Sequence, residues 1–146
     1  MKNEEVEILM VEDNKQDAEM AIRALKKSHL VNNLIHLDDG ARAIEFLFGT
    51  GEFAGRDTNK KPRLILLDLK MPKMDGIEVL RIIKQHELTK RIPVIVLTSS
   101  KESPDIDSCY SLGVNSYIVK PVDFDGFIKA INELGFYWML LNQNAE

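Results

Sequence analysis

Five short apolar runs alternate with helical patterns along this sequence, and that alternation constrains the fold more than any other feature. The runs are residues 6–11 (VEILMV), 34–37 (LIHL), 64–67 (LILL), 94–97 (VIVL) and 117–119 (YIV). Most of them are rich in β-branched residues, which favour strands. The third and fourth runs lack polar alternation, which is typical of parallel strands covered on both faces.

Amphipathic helices are predicted between and after these runs. Signals for helix starts stand at Asn14, Gly40, Asp75-Gly76, Ser103-Pro104 and Asp123. The second helix is predicted over residues 40–48, and the fourth is expected to end near Gly113. A strand–helix order repeated five times predicts a parallel sheet with right-handed crossovers and helices on both faces.

The one long connection in the chain covers residues 49–61 (GTGEFAGRDTNKK). Its three glycines and its charges predict an exposed loop, and we interpret it as a solvated insertion. Because the loop is longer than most connections, a docking role stays open.

Size and composition exclude several classes of protein. The chain has 146 residues and a net charge of −4, which fits one domain and argues against a nucleic-acid module. Its single cysteine, Cys109, excludes an intrachain disulfide and fits a reducing cytoplasm. No apolar stretch approaches the roughly 18 residues of a membrane span. We predict a cytoplasmic domain over residues 6–141, with short tails at residues 1–5 and 142–146.

Polar side chains follow four of the five predicted strands. They are Glu12, Asp13, Asp68, Thr98 and Lys120. Because the carboxyl ends of parallel strands share one edge of the sheet, we expect these groups to meet where ligands bind in open α/β folds.

Three carboxylates that meet at one edge predict a metal site. They repel one another unless a pKa rises or a cation binds between them. All the candidate ligands are oxygen atoms, which favours Mg²⁺, with Mn²⁺ as an alternative. The three histidines, His29, His36 and His86, are expected in helix or loop surroundings at the surface.

Four segments of the sequence together resemble the receiver domain of two-component response regulators. They are residues 11–14 (VEDN), 66–76 (LLDLKMPKMDG), 94–100 (VIVLTSS) and 117–121 (YIVKP). They occur in the family's order, and the resemblance extends over about residues 6–134. It implies a flavodoxin-like (βα)5 fold with a parallel sheet in the strand order 2-1-3-4-5.

The resemblance also implies a role for each matching residue. Asp68 matches the phosphoacceptor, Thr98 the hydroxyl that bonds the phosphoryl group, and Lys120 the lysine that pairs with it. Glu12, Asp13, Asp68 and the backbone carbonyl of Lys70 match the Mg²⁺ ligands. Tyr117 matches an aromatic switch position on the fifth strand.

The function implied is that of a single-domain regulator in a phosphorelay. It would accept a phosphoryl group from a histidine kinase, switch the face formed by the fourth helix, fifth strand and fifth helix, and catalyse nothing beyond its own phosphorylation and dephosphorylation. The long loop and the apolar tail are similar to those of regulators that partner bacteriophytochrome-type kinases. Neither nucleic-acid binding nor membrane insertion is expected.

The sequence offers three other interpretations. A phosphatase of the haloacid dehalogenase class needs a second Asp two residues after its nucleophile, where this chain has Lys70. A nucleotide-binding module needs a phosphate-cradling loop after the first strand, where this chain has Glu12 and Asp13. A scaffold receiver that works without phosphorylation is disfavoured because no site residue is missing.

The C-terminal tail predicts self-association. Residues 136–141 are six consecutive apolar residues, FYWMLL. If the fifth helix continues through Gly135, at a cost of about 1 kcal/mol, they point in every direction and leave an exposed apolar patch. A homodimer would cover that patch, with an interface at Phe136, Tyr137, Trp138 and Leu141. The alternative is a tail that folds back over its own domain.

Overall fold

A computed structural model describes residues 8–27, 33–71, 74, 76–98, 107, 109–114, 116–119 and 124–130. The strands are β1 (Ile8–Val11), β2 (Leu34–Leu37), β3 (Leu64–Asp68), β4 (Val94–Thr98) and β5 (Ser116–Val119). The helices are α1 (Lys15–Lys27), α2 (Gly40–Phe48), α3 (Gly76–Gln85) and α5 (Phe124–Ala130), with a 3-10 turn at Gly51–Phe53. Between β4 and β5 a further helix, α4, is described at residues 107 and 109–111.

The five strands form one sheet in the order β2-β1-β3-β4-β5, and every pair is parallel. The predicted topology is therefore confirmed. The central strand β3 lies between β1 and β4, with Ile8 opposite Leu64 and Ile65 opposite Val94. The carboxyl ends of β1, β3 and β4 consequently meet at one edge of the sheet.

Two hydrophobic cores lie on opposite faces of the sheet. Alternate residues of β1 and β3 enter each core: Ile8 and Leu64 face α1 and α5, while Leu9 and Ile65 face α2 and α3. Every residue of both strands is completely buried except Asp68, which is 3% exposed. This double burial explains why the strand sequences are apolar throughout instead of alternating.

Side-chain caps begin two of the helices. Asn14 precedes α1, and its Oδ1 accepts a hydrogen bond from the Asp17 N–H at 2.9 Å, which confirms the predicted N-cap. Asp39 does the same for α2, accepting from the Arg42 N–H at 2.8 Å. Gly49 ends α2 in the left-handed conformation, with φ of 67°.

The long connection between α2 and β3 is mostly exposed, and two of its side chains attach it to α2. The Phe53 ring packs edge-to-face on Phe46, with 5.2 Å between centroids. The Arg56 guanidinium lies 3.9 Å from the centroid of the same Phe46 ring and donates to the Phe46 carbonyl at 2.8 Å. The predicted exposed loop is confirmed, since most of residues 49–61 are exposed and none is buried. The aromatic and cation–π contacts of Phe53 and Arg56 in addition attach the segment to α2.

Several predicted features lie outside the described residues. They include Lys120, directly after β5, the helix-start signals at Ser103-Pro104 and Asp123, and His29. The tail with its proposed interface at Phe136, Tyr137, Trp138 and Leu141 also lies outside them. In the described part of the chain, no helix combines the length and the apolar character needed to cross a membrane.

Candidate functional site

The carboxyl edge of the sheet brings three acidic residues together. Glu12 and Asp13 follow β1 directly, and Asp68 is the last residue of β3. The parallel register places Val11 opposite Leu67, so the chain beyond Val11 runs beside Asp68. The predicted convergence of these three residues is confirmed.

Their geometry and burial fit a small divalent cation. One carboxylate oxygen from each of Glu12, Asp13 and Asp68 lies within 4.8 Å of the others. Opposite ligands in an octahedral Mg²⁺ shell are separated by about 4.2 Å, twice the ion–oxygen distance. Glu12 is 1% and Asp68 3% exposed, whereas Asp13 is half-buried and open to solvent. An all-oxygen donor set with one open side suits an ion that keeps several waters.

Backbone hydrogen bonds orient two of the carboxylates. The Lys70 N–H donates to Asp68 Oδ1 at 3.3 Å, and the Asn14 N–H donates to Glu12 Oε2 at 3.2 Å. Each donor lies two residues beyond its acceptor, in the turn that leaves the strand. The turns after β1 and β3 therefore hold the acidic groups at fixed positions relative to the sheet.

His36 lies nearer to this site than the sequence indicated. It is part of β2 and half-buried, and its Nε2 lies 2.8 Å from the Glu12 carbonyl oxygen. Because a carbonyl can only accept, the His36 Nε2–H is the donor. The expectation of helix or loop surroundings was wrong for His36, since the apolar run around it forms a strand that pairs with β1.

Gly76 is a site residue that the sequence marked only as part of a helix-start signal and as the end of a segment that resembles receiver domains. It begins α3, and its N–H donates to the Leu69 carbonyl at 2.9 Å. A β-carbon here would lie 2.5 Å from the Leu69 Cα and would overlap the Asp68 backbone. Glycine is therefore needed for the start of α3 to pack against the end of β3, a requirement that depends on tertiary contact and has no local sequence signal.

The remaining predicted residues are placed only in part. Thr98 is the last residue of β4, with its backbone opposite Val119 of β5, and its side chain lies outside the described part of the structure. Tyr117 lies in β5 and is half-buried, and its ring meets Tyr110 of α4 edge-to-face at 5.8 Å. Lys70 is exposed, and its carbonyl lies in the turn just after Asp68.

Comparisons with known sequences identify relatives over nearly the whole chain. The profile of the response regulator receiver domain matches residues 8–132. The response regulator Rcp1 of Synechocystis is 42% identical over 132 residues, covering 90% of this chain and 88% of its own. The probable methanogenesis regulatory protein FilR2 of Methanothrix harundinacea is 39% identical, covering 94% of this chain and 86% of its own.

Solved structures of response regulators also superpose on this chain over nearly its whole length. The phosphorylated cyanobacterial phytochrome response regulator RcpA superposes with a TM-score of 0.82 at 38% identity, covering 93% of this chain and 95% of its own. The Mn²⁺-bound form of Rcp1 superposes with a TM-score of 0.79 at 42% identity, covering 90% of this chain and 93% of its own.

Proposed function

This chain belongs to the family of response regulator receiver domains, and from that premise we propose that Asp68 is its phosphoacceptor. Receiver domains of response regulators are phosphorylated on an aspartate by histidine kinases. The observation that supports Asp68 is its position: it ends the central strand, lies 3% exposed at the carboxyl edge, and shares that edge with Glu12 and Asp13.

Receiver domains bind Mg²⁺ or Mn²⁺ at an acidic cluster, and the three carboxylates fit that requirement. We propose that Glu12, Asp13, Asp68 and the Lys70 carbonyl hold the ion. When bound, it supplies positive charge beside the aspartate that receives the phosphoryl group. Without it, a phosphoryl dianion would approach three carboxylates, and repulsion would oppose its arrival.

For the phosphoryl transfer, the protein mainly has to position the reacting groups. An Asp68 carboxylate oxygen attacks the phosphorus of a phosphohistidine, a P–O bond forms, the P–N bond breaks, and the imidazole leaves with the electron pair and takes a proton from solvent. Because the nucleophile is a carboxylate, it needs no general base. The hydrogen bond from the Lys70 N–H holds its orientation. Lys120 and Thr98 would contact the phosphoryl oxygens.

We propose that the only reactions catalysed are the formation and hydrolysis of this acyl phosphate. A phosphatase of the haloacid dehalogenase class needs a second aspartate two residues after its nucleophile, and in this chain that position is the exposed Lys70. This feature favours a signalling protein over an enzyme of the haloacid dehalogenase class.

Phosphorylation is proposed to alter the face formed by α4, β5 and α5. Thr98 would move toward the phosphoryl group, and Tyr117 would turn into the space that it leaves. Tyr117 is half-buried and contacts Tyr110 of α4, which is 50% exposed. A rotation of Tyr117 would therefore change the surface around Tyr110, which links the site to a partner-binding face.

The partner is proposed to be a phytochrome-type histidine kinase in the cytoplasm. The support is the similarity to RcpA, described as a phytochrome response regulator, and to the bacteriophytochrome response regulator RtBRR, which is 46% identical. The cytoplasmic location is supported by the single cysteine of the chain, Cys109, which is buried and forms no disulfide.

A homodimer through the tail is also proposed. Its support is the apolar run over residues 136–141, which one domain can cover only in part. Truncation after Leu134, or Trp138→Glu combined with Leu141→Glu, should convert a dimer to a monomer in sedimentation velocity. A wild-type chain that stays monomeric at high micromolar concentration, phosphorylated or not, would contradict the proposal.

Intact mass after incubation with phosphoramidate and Mg²⁺ tests the central assignment. The wild type should gain one phosphate and Asp68→Asn none, while the exposed control Asp57→Asn should label like the wild type. Labelling should disappear in EDTA. Equal labelling of Asp68→Asn at an acid-stable site would show that the phosphoacceptor is another residue.

A further inference from the structure

We infer that the amino edge of the sheet, opposite the acidic cluster, carries a second site that binds a small organic phosphate. A cavity of about 210 Å³ opens there between the segment before β3 and the segment before β4. The two segments are residues 61–63 and 87–93, and the pairing of Ile65 with Pro93 brings them together, with 3.0 Å from the Ile65 N–H to the Pro93 carbonyl.

The charge of this cavity is opposite to that of the protein. Among the described residues, Lys61, Arg63 and Arg91 line it, and the one acidic lining residue is Glu87. Glu87 is already paired with Lys90, whose Nζ lies 2.8 Å from Glu87 Oε2, and this hydrogen bond lowers the pKa of the carboxyl. In a chain of net charge −4, the cavity therefore forms a local positive potential that attracts anions.

Hydrogen bonds to the backbone fix the wall that bears Lys61. The Arg56 guanidinium donates to the Phe46 carbonyl at 2.8 Å and to the Lys60 carbonyl at 2.5 Å. The Lys60 N–H in turn donates to the Asp57 carbonyl. The connection between α2 and β3 thus ends in a rigid segment, so that Lys61 loses little backbone freedom when it binds an anion.

Hydrogen bonds between α3 and the segment before β4 likewise fix the wall that bears Arg91. The Lys84 ammonium donates to the Ile92 carbonyl at 3.0 Å and to the Lys90 carbonyl at 3.4 Å. The buried Thr89 hydroxyl donates to the Ile83 carbonyl at 2.7 Å. Both cationic walls are therefore held in place before any ligand arrives.

The floor of the cavity indicates what the anion is attached to. Pro62 and Pro93 present buried, flat apolar surfaces, and the half-buried Leu88 lies beside them. A ring or short chain fits against these groups while its phosphate lies among the cations. The cavity is smaller than the roughly 300–1,000 Å³ of sites that enclose a drug-sized ligand. We therefore assign a phosphate monoester the size of a nucleoside monophosphate or smaller, held in part at the surface.

This site is separate from the proposed phosphoacceptor. Leu64 and Asp68 mark the two ends of β3, and four strand steps separate them by about 13 Å. The cations of the cavity come from connections that enter the sheet, whereas the carboxylates come from turns that leave it. Binding at one site is thus measurable with the other disabled.

Titration with AMP, followed by two-dimensional amide NMR, tests the proposal. EDTA is present so that no metal draws phosphate to the acidic cluster, and Asp68→Asn is used in parallel. AMP should shift amides in residues 61–63 and 87–93, and inorganic phosphate should shift the same amides more weakly. Adenosine should shift none. The shifts should persist in Asp68→Asn, so that failure of the phosphoacceptor assignment leaves this result unaffected.

Matched variants separate a built site from general electrostatic attraction. Lys61→Gln with Arg91→Gln removes two exposed cations and should weaken AMP binding about tenfold, since two exposed ion pairs with the phosphate are lost. Arg23→Gln with Arg81→Gln removes the same charge elsewhere and should leave the affinity unchanged. Leu88→Ser should weaken AMP but not inorganic phosphate. Equal loss in both double variants, shifts spread over the whole surface, or binding of a poly-glutamate peptide but not AMP would overturn the proposal.

Discussion

Gly76 lies so close to Asp68 that a side chain at position 76 would overlap the Asp68 carbonyl oxygen. The first turn of α3 is therefore packed directly on the strand end that carries the proposed phosphoacceptor. The contact ties the position of Asp68 to the docking of α3, because the neighbouring atoms belong to the backbone and cannot rotate away.

Gly76→Ala should consequently destabilise the protein and slow its phosphorylation. Relieving the overlap requires α3 or the end of β3 to move, at a cost of about 1–3 kcal/mol for overpacking, of which alanine's higher helix propensity recovers at most about 1. Urea denaturation measures the first effect and phosphoramidate labelling the second. Gln85→Ala, on the exposed end of the same helix, should change neither. A Gly76→Ala protein with wild-type stability and labelling would contradict the packing seen here.

The sequence predicted the fold because each strand carries its own signal. Runs such as residues 64–67 are apolar on both faces, and caps such as Asn14 and turn residues such as Gly113, with φ of 97°, mark where helices begin and end. The carboxyl ends of parallel strands share one edge of the sheet, and the strand order implied by the family resemblance makes β1 and β3 neighbours, so Glu12, Asp13 and Asp68 were expected to lie together.

Contacts between distant segments could not be predicted in the same way. The approach of Gly76 to Asp68, the hydrogen bond from His36 to Glu12, and the stacking of Arg56 on Phe46 all depend on tertiary packing. The basic residues before β3 and β4 form one cavity only because β3 and β4 pair. A single sequence shows hydrophobic periodicity and local turn signals. Neither of them predicts which distant segments of the chain pack against each other.

Asp13→Asn should raise the stability of the metal-free protein and reduce its response to Mg²⁺. Asp13 is the half-buried member of three carboxylates within 4.8 Å, so the neutral amide relieves about 1 kcal/mol of like-charge repulsion. The same change removes a ligand, and the Mg²⁺-dependent rise in Tm should shrink. Thermal unfolding in EDTA and in Mg²⁺ measures both effects, with the exposed Glu19→Gln as control. A variant that is less stable in EDTA and keeps the full Mg²⁺ response would exclude this role for Asp13.

Arg42 should make the stability depend on pH in the acid range. Its guanidinium donates to Glu52 at 2.9 Å and to Asp38 at 3.1 Å, and these hydrogen bonds hold the pKa of both carboxyls below their usual values. A carboxyl with a lowered pKa in the folded state contributes stability above its unfolded pKa, near 4, and loses it as the pH falls through the folded value.

Arg42→Gln should therefore lower the urea midpoint at pH 6, and the difference from the wild type should narrow toward pH 3. The effect is small because all three side chains are largely exposed to solvent. Arg23→Gln, an exposed arginine on α1, serves as the control. An Arg42→Gln deficit that is constant from pH 6 to pH 3 would show that the charge of Glu52 and Asp38 contributes nothing to it.

Lys84 should produce a pH dependence of the opposite kind at alkaline pH. Burial lowers the pKa of its ammonium, which donates to the carbonyls of Lys90 and Ile92. Between the folded pKa and the unfolded value near 10.4, the unfolded chain binds more protons, so this group makes the protein more stable as the pH rises. Lys84→Met should flatten that rise when urea midpoints are compared from pH 7 to pH 10, whereas Lys26→Met on the surface of α1 should keep it. A slope that is identical in Lys84→Met and Lys26→Met would mean that the ammonium is as well solvated in the folded protein as in the unfolded chain.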